Sequence, residues 1–142
     1  MNFEKSSGAQ PKILIVDDNQ LIVRTMAAKF NRAGYETAEA LDGAEAIAAV
    51  RKERPDLIVL DLNLPTDING ETWDGYRIIE WLRHMKESRT IPIITITGAP
   101  DSLDMERNLD LGAVGFLFKP LDYNELLRLV RNALGATVTM AA

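Results

Sequence analysis

The chain has 142 residues, of which 46% are hydrophobic and 26% are charged, and its formal net charge at pH 7 is -5. This length is typical of a single globular domain, and the composition is far from that of a disordered segment. The acidic balance, without a basic run, argues against direct binding of nucleic acid, and the lack of cysteine excludes disulfides, thiolate metal sites and cysteine nucleophiles.

Apolar runs of strand length alternate along the chain with amphipathic segments of helix length. In chain order they predict strand 12–16, helix 21–32, strand 36–40, helix 43–53, strand 56–60, helix 75–86, strand 91–96, helix 101–111, strand 114–118 and helix 122–134. We expect a flexible lead-in, one folded domain and a C-terminal tail at residues 1–11, 12–135 and 136–142.

The strict alternation of strands and helices is typical of an α/β fold, in which helices cover both faces of a parallel sheet. The runs KILIV, DLIVL, IPIITI and VGFLF are mostly apolar, as strands buried on both faces are, whereas ETAEA is a weaker strand. In such sheets the ligand site lies beyond the carboxyl ends of the strands. Residues at those ends are therefore the first candidates for function.

Polar residues follow four of the predicted strands at the point where each strand ends. They are Asp17 and Asp18 after the first strand, Asp61 after the third, Thr97 after the fourth and Lys119 after the fifth. Because the carboxyl ends of parallel strands meet at one edge of the sheet, we expect these side chains to converge.

Three crowded carboxylates repel one another, and a hard divalent cation relieves that repulsion. Mg²⁺ prefers oxygen ligands and is commonly bound by one or two carboxylates together with phosphate oxygens. A carboxylate can itself accept a phosphoryl group, and phosphoryl transfer needs mainly positioning and nearby cations. The pattern therefore favours a Mg²⁺ site that handles phosphoryl groups.

The motifs VDD, VLDLNLP, TITGA and FLFKP, in this order and at these strand ends, closely resemble those of the receiver domain of two-component response regulators. The resemblance covers about residues 12–134. It implies a flavodoxin-like (βα)5 three-layer sandwich with a parallel five-stranded sheet of order 2-1-3-4-5. It also implies a phosphorelay switch rather than a turnover enzyme, phosphorylated by a partner histidine kinase or histidine phosphotransfer protein.

The resemblance gives each candidate residue a role. Asp61 would be the phosphoacceptor, and Lys119 and Thr97 would contact the phosphoryl oxygens. Mg²⁺, or Mn²⁺ in its place, would be bound by Asp17, Asp18, Asp61 and the backbone carbonyl of Asn63. The resemblance implies no further cofactor.

The resemblance also implies a conformational switch. Thr97 would move towards the phosphoryl group, and Phe116, at the aromatic switch position, would move inward with it. The Lys119-Pro120 peptide bond would be cis. Output would pass through the face formed by the fourth helix, fifth strand and fifth helix, where a downstream protein, a tethered domain or a second copy of the chain would bind.

The stretch TDINGETW, residues 66–73, departs from the family as an apparent insertion after the phosphoacceptor. In the family, an Asp or Asn followed by Gly begins the third helix, and two residue pairs of this chain can match that pattern. We favour Asp74-Gly75 over Asn69-Gly70, because the helical register continues from Gly75. Asn69-Gly70 would then form a tight turn inside the enlarged loop. The loop either alters kinase docking, water access or phosphoryl lifetime, or it is a surface excursion without consequence. Gly98 stands where the family more often has alanine.

Other functional classes fit the sequence less well. A flavodoxin-like cofactor binder needs a glycine- or hydroxyl-rich loop after the first strand, where this chain has DDNQ. An aspartate-nucleophile phosphohydrolase usually carries a capping domain, for which the chain has no room. A receiver-fold module that signals without phosphorylation would not need all five functional positions.

No segment approaches the roughly 20 apolar residues of a membrane-spanning helix, and MNFEKSSGAQ lacks the apolar core of a secretory signal. We therefore expect a cytoplasmic protein that contacts neither membranes nor nucleic acid. The chain ends soon after the last predicted helix, so we expect it to contain no output domain. Two arrangements fit this ending: a stand-alone receiver, or one domain of a longer protein.

Overall fold

The computed structural model describes residues 10–64, 66–68, 70–98 and 104–141. The strands are β1 (Lys12–Val16), β2 (Glu36–Ala40), β3 (Leu57–Asp61), β4 (Thr66–Ile68), β5 (Glu71–Trp73), β6 (Ile93–Thr97) and β7 (Gly115–Phe118). The helices are α1 (Gln20–Arg32), α2 (Gly43–Glu53), α3 (Gly75–His84), α4 (Asp104–Asp110) and α5 (Tyr123–Ala141).

The main sheet has five parallel strands in the order β2-β1-β3-β6-β7. Counting β6 and β7 as the fourth and fifth strands of the alternation, this confirms the predicted order 2-1-3-4-5. The order makes β1 and β3 neighbours, with Val16 paired to Leu60. The residues that end these two strands therefore lie side by side at the carboxyl edge of the sheet.

The apolar core lies in two layers, one on each face of the sheet. Along β3, Ile58 and Leu60 face the layer covered by α2 and α3. Leu57 and Val59 face the other layer, which α1 and α5 cover. Because β3 and β6 are buried at every position, their sequences are mostly apolar instead of alternating. The arrangement confirms the predicted three-layer α/β fold.

Short polar side chains begin the first three helices. Asn19 accepts hydrogen bonds from two backbone amides at the start of α1, and Asp42 accepts one from the amide of Glu45 in α2. Asp74 accepts one from the amide of Arg77, 3.0 Å away, so that α3 begins at Gly75. These bonds satisfy amides that lack a partner inside the helix. The start of α3 confirms the choice of Asp74-Gly75 over Asn69-Gly70.

Several boundaries differ from the sequence-based predictions. Asp61 and Thr97 are the last residues of β3 and β6, whereas we expected them to follow the strands. The prediction ended each strand at its last apolar residue, but the ladder continues, with Asp61 paired to Ile96. Helix α5 runs to Ala141, where we expected it to end at residue 134, because no proline follows Gly135 to stop it.

The long polar loop after β3 contains a hairpin that was not predicted. Strands β4 and β5 pair antiparallel, with Thr66 opposite Trp73 and Ile68 opposite Glu71. The connection contains Gly70, whose φ of 82° suits a tight turn; Asn69, the other residue of the predicted turn, lies outside the described residues. β4 lies next to α2, and β5 lies next to α3.

The helices that the structure describes are too short or too polar to cross a membrane.

Gly75 allows α3 to start directly against the end of β3. Its amide donates to the carbonyl oxygen of Leu62 at 3.3 Å. A Cβ atom at this position would lie 2.7 Å from Leu62 Cα and 3.1 Å from the Asp61 carbonyl oxygen. Since both contacts are with backbone atoms, the neighbouring turn would have to shift.

We expect Gly75→Ala to destabilise the fold by about 1–3 kcal/mol, the usual cost of overpacking a well-packed region. Gly98→Ala is the matched control, because its Cβ would meet only the Lys119 side chain at 3.7 Å, an ordinary contact. Urea unfolding of the two variants measures the difference. Equal stability of Gly75→Ala and the unsubstituted protein would contradict the close approach.

Candidate functional site

The candidate site lies at the carboxyl edge of the sheet, where the predicted acidic residues come together. Asp17 is 0% exposed and Asp61 is 2% exposed, while Asp18 is exposed. One carboxylate oxygen from each of the three lies within 4.8 Å of the others. The strand order explains this proximity, because β1 and β3 are adjacent and Asp61 ends β3 as Asp17 follows β1.

Lys119 bridges the two buried carboxylates. Its Nζ atom lies 3.1 Å from Asp61 Oδ2 and 3.2 Å from Asp17 Oδ2. The residue follows β7, two strands away from β3, and its long side chain crosses the end of β6 to reach the carboxylates. One ammonium group thus faces two buried negative charges, with Asp18 nearby.

The pKa values of Asp17 and Lys119 are shifted by burial and by the presence of one ammonium group beside two carboxylates. Burial raises the pKa of Asp17, and the charge of Asp61 raises it further, against the opposing effects of the Asn19 amide and Lys119. Burial acts to lower the pKa of Lys119, but the two carboxylates outweigh it, so the net pKa of Lys119 is raised. The ammonium therefore stays charged while Asp17 is held in an environment that penalises its ionised form.

The two oxygens of Asp17 have different partners. Oδ1 accepts a hydrogen bond from the Asn19 amide at 2.9 Å. Oδ2 makes the ion-pair contact with Lys119, yet it is buried and accepts no hydrogen bond from the described residues. A buried carboxylate oxygen without a hydrogen bond, beside two other carboxylates, fits the oxygen-ligand preference of Mg²⁺.

Asn63 lies in the turn immediately after β3 and makes contacts that the sequence analysis missed. Its amide N–H donates to Asp61 Oδ1 at 2.9 Å. Its side-chain oxygen, Oδ1, accepts from the Thr97 hydroxyl at 2.8 Å and from the Gly98 amide at 2.9 Å. The sequence analysis assigned only the backbone carbonyl of Asn63 to the site, because the family resemblance concerns that atom and no local pattern indicates where the side chain points.

Thr97 and Phe116 occupy different parts of the structure. Thr97 is buried at the end of β6, and its carbonyl oxygen accepts from the Lys119 amide at 2.9 Å. Phe116 is half-buried on β7, packs against the core layer under α2 and α3, and contacts the ring of Phe118 edge to face at 5.1 Å. Phe116 pairs in register with Thr95, so it lies outside the carboxylate cluster. The Lys119-Pro120 peptide bond is cis, as the resemblance implied.

A buried polar network next to the site was also missed. The Thr95 hydroxyl donates to Asn108 Oδ1 at 2.5 Å, and Asn108 Nδ2 donates to the Tyr76 hydroxyl at 3.3 Å. The guanidinium of Arg107 lies 3.7 Å from the centre of the Tyr76 ring. These contacts join α4 to the sheet and to the start of α3. A threonine in an apolar strand and an asparagine in a helix carry no sequence signal that they meet.

The arrangement has two chemical capacities. The carboxylates can hold a divalent cation, and Lys119 with the donors of Thr97 and Gly98 can hold an anion beside Asp61. Both capacities meet at one buried carboxylate, Asp61. That combination is suited to transfer of an anionic group onto this side chain.

Comparison with known proteins agrees with this geometry. The family model of the response regulator receiver domain matches residues 13–131. The chain is 35% identical over 127 residues to the DNA-binding dual master transcriptional regulator RpaA of Synechocystis sp., a match that covers 89% of this chain and 50% of RpaA. It is 31% identical over 123 residues to the polar-differentiation response regulator DivK of Brucella anthropi, covering 87% of this chain and 95% of DivK.

The chain thus spans about half the length of RpaA and of the probable transcriptional regulator ycf27 of Porphyridium aerugineum, but nearly the whole length of DivK. Solved structures share its fold. The chemotaxis response regulator CheY4 of Vibrio cholerae superposes with a TM-score of 0.76 at 29% identity, covering 87% of this chain and 98% of CheY4. The receiver domain of the Francisella response regulator 1452 superposes with a TM-score of 0.78 at 28% identity, covering 90% of this chain and 99% of that domain's chain. The chain belongs to the response regulator receiver domains of two-component signalling.

Proposed function

We propose that the chain is a Mg²⁺-dependent phosphorelay switch in which Asp61 accepts a phosphoryl group from a partner's phosphohistidine. The observation that carries this proposal is the buried pair of Asp17 and Asp61, bridged by the single ammonium of Lys119. The ammonium places a positive charge directly beside the carboxylate proposed as the acceptor. Membership of the receiver family supports the same reaction.

The two oxygens of Asp61 have different surroundings. Oδ1 accepts the Asn63 amide, and Oδ2 faces Lys119. In the transfer, a lone pair of an Asp61 oxygen forms the new P–O bond while the P–N bond to the partner's imidazole breaks, and the imidazole takes a proton from solvent. Lys119 would follow the developing charge on the phosphoryl oxygens, because it already lies beside the acceptor.

The proposed metal ligands are Asp17, Asp18, Asp61 and the backbone carbonyl of Asn63. This assignment is supported by Asp17 Oδ2, a buried oxygen that faces Lys119 and accepts no hydrogen bond from the described residues. A bound Mg²⁺ would neutralise charge on the carboxylates and on the arriving phosphoryl group. Asp17 would act from a fixed position, since its other oxygen is held by the Asn19 amide.

We propose that output passes through the face formed by α4, β7 and α5, with Thr97 and Phe116 as the switch. Exposed apolar side chains support this surface: Leu109 on α4, Phe118 on β7 and Val114 just before β7. The partner would be a downstream protein, a tethered domain or a second copy of the chain. Relatives such as RpaA, of which this chain matches half, support a tethered domain.

Phosphoryl transfer from acetyl phosphate tests the reaction. With Mg²⁺ present, the unsubstituted protein should incorporate radiolabelled phosphate, and Asp61→Asn should reduce incorporation by at least about a hundredfold, because the amide is no nucleophile. Asp74→Asn is the control: it changes a nearby carboxylate that caps α3, and Asn caps equally well. Labelling of Asp61→Asn at the level of this control would assign the phosphoryl group to another residue.

A second prediction concerns the two buried carboxylates that share the Lys119 ammonium. Asp17→Asn should stabilise the metal-free protein by about 1 kcal/mol, since it removes a charge that is buried and close to Asp61. The melting temperature, measured with a chelator present, should rise by about 2–4 °C. Millimolar Mg²⁺ should then stabilise the unsubstituted protein more than the variant.

Asp42→Asn provides the comparison for this measurement. Asp42 caps α2 and is not one of the three clustered carboxylates, so its replacement should change stability by less than about 0.5 kcal/mol. Destabilisation of the metal-free protein by Asp17→Asn would show that the ion pair with Lys119 outweighs the repulsion.

A further inference from the structure

Two donors at the end of β6 converge on one oxygen. The Thr97 hydroxyl and the Gly98 amide lie 2.8 and 2.9 Å from Asn63 Oδ1. A hydroxyl and a backbone amide aimed at the same point form a site for one oxygen of an anionic group. In this structure, that point is occupied by an amide oxygen of the chain itself.

The occupying residue is two positions after the proposed phosphoacceptor. Its amide N–H holds Asp61 Oδ1, so the backbone of Asn63 belongs to the acceptor side of the site. Its side chain reaches the opposite side, the end of β6. Asn63 therefore spans the space into which a phosphoryl group on Asp61 would extend.

We propose that the Asn63 side chain is a latch that occupies a phosphoryl-oxygen position in the unphosphorylated protein and must leave before a phosphoryl oxygen binds there. The inference rests on the proposed function of Asp61 and adds a positioning residue to it. While the latch is closed, Thr97 is held by Asn63. Opening removes the Asn63 acceptor, so that the Thr97 hydroxyl and the Gly98 amide can donate to the phosphoryl group.

The latch can open without disturbing the rest of the site. Asn63 is exposed, so its side chain can rotate into water, where its amide finds new hydrogen bonds. The backbone just before it is held in place, because the Leu62 amide donates to the Ile96 carbonyl at 2.8 Å and the Leu62 carbonyl accepts from the Gly75 amide. The Asn63 amide, which donates to Asp61 Oδ1, adds a further anchor to the backbone that carries the carbonyl proposed for the metal.

The test is the affinity for beryllium fluoride, a phosphoryl mimic, measured by calorimetry in saturating Mg²⁺. Asn63→Ala should bind it about three- to thirtyfold more tightly, because each competing hydrogen bond that is removed corresponds to about a two- to tenfold change. The Mg²⁺ affinity should stay within about twofold, since Ala retains the backbone carbonyl. Asn63→Ser, with a shorter polar side chain, should show the same direction.

Two further variants separate a latch from a general change in stability. Asn31→Ala removes another asparagine that accepts from a threonine hydroxyl, Thr37, away from the site, and should leave beryllium fluoride affinity unchanged. In a Thr97→Val background one of the two donors is gone, so Asn63→Ala should have a smaller effect there. This coupling distinguishes the latch from a merely structural role.

The outcomes are distinct. If the unsubstituted protein binds beryllium fluoride and Asn63→Ala binds it equally or more weakly, the latch is wrong and the proposed function stands. An equal effect of Asn63→Ala with and without the Thr97 hydroxyl would also overturn the latch. If the unsubstituted protein does not bind the mimic with Mg²⁺, the proposed function fails, and the latch fails with it.

Discussion

The site depends on two buried carboxylates that share one ammonium group. Removing a carboxylate from water is costly unless a positive charge or hydrogen bonds replace the water. Asp17 and Asp61 are both buried, and Lys119 serves both. The fold tolerates this shortage of positive charge because the strands beneath are buried on both faces, which supplies apolar stabilisation. The same shortage makes the site receptive to a cation.

The topology of the sheet brings acidic residues that are distant in sequence into one cluster. Asp17 and Asp61 are separated by an entire helix-strand-helix unit in sequence, yet β1 and β3 are neighbours. The start of α3 lies directly against the end of β3, since Gly75 lets the helix approach more closely than any other residue would. Asp74 then fixes where the helix begins. Helix capping, backbone packing and charge placement thus meet in space at the end of β3.

One departure of this chain from the family pattern, the apparent insertion, lies in the segment after β3. The apparent insertion folds as a hairpin whose strands lie next to α2 and α3. Between β3 and the hairpin lies Asn63, which joins the end of β3 to the end of β6. On the other side of β6, the Thr95–Asn108 contact ties α4 to the sheet. Both ends of the proposed switch region are therefore held by polar contacts in the unphosphorylated chain.

The sequence alone determined the fold class, the strand order through its family motifs, the start of α3 and the identity of the residues at the strand ends. The strand order was implied by the family resemblance. The fold class and the start of α3 follow from local periodicity, and the convergence of the strand-end residues follows from the rule that parallel strands place their carboxyl ends together. Only the tertiary structure decided that Lys119 contacts both Asp17 and Asp61, and that Asp17 Oδ2 accepts no hydrogen bond from the described residues. It also decided that the Asn63 side chain accepts hydrogen bonds from Thr97 and Gly98. Such contacts depend on the direction of single side chains across neighbouring strands, and no periodic pattern in one chain segment carries that information.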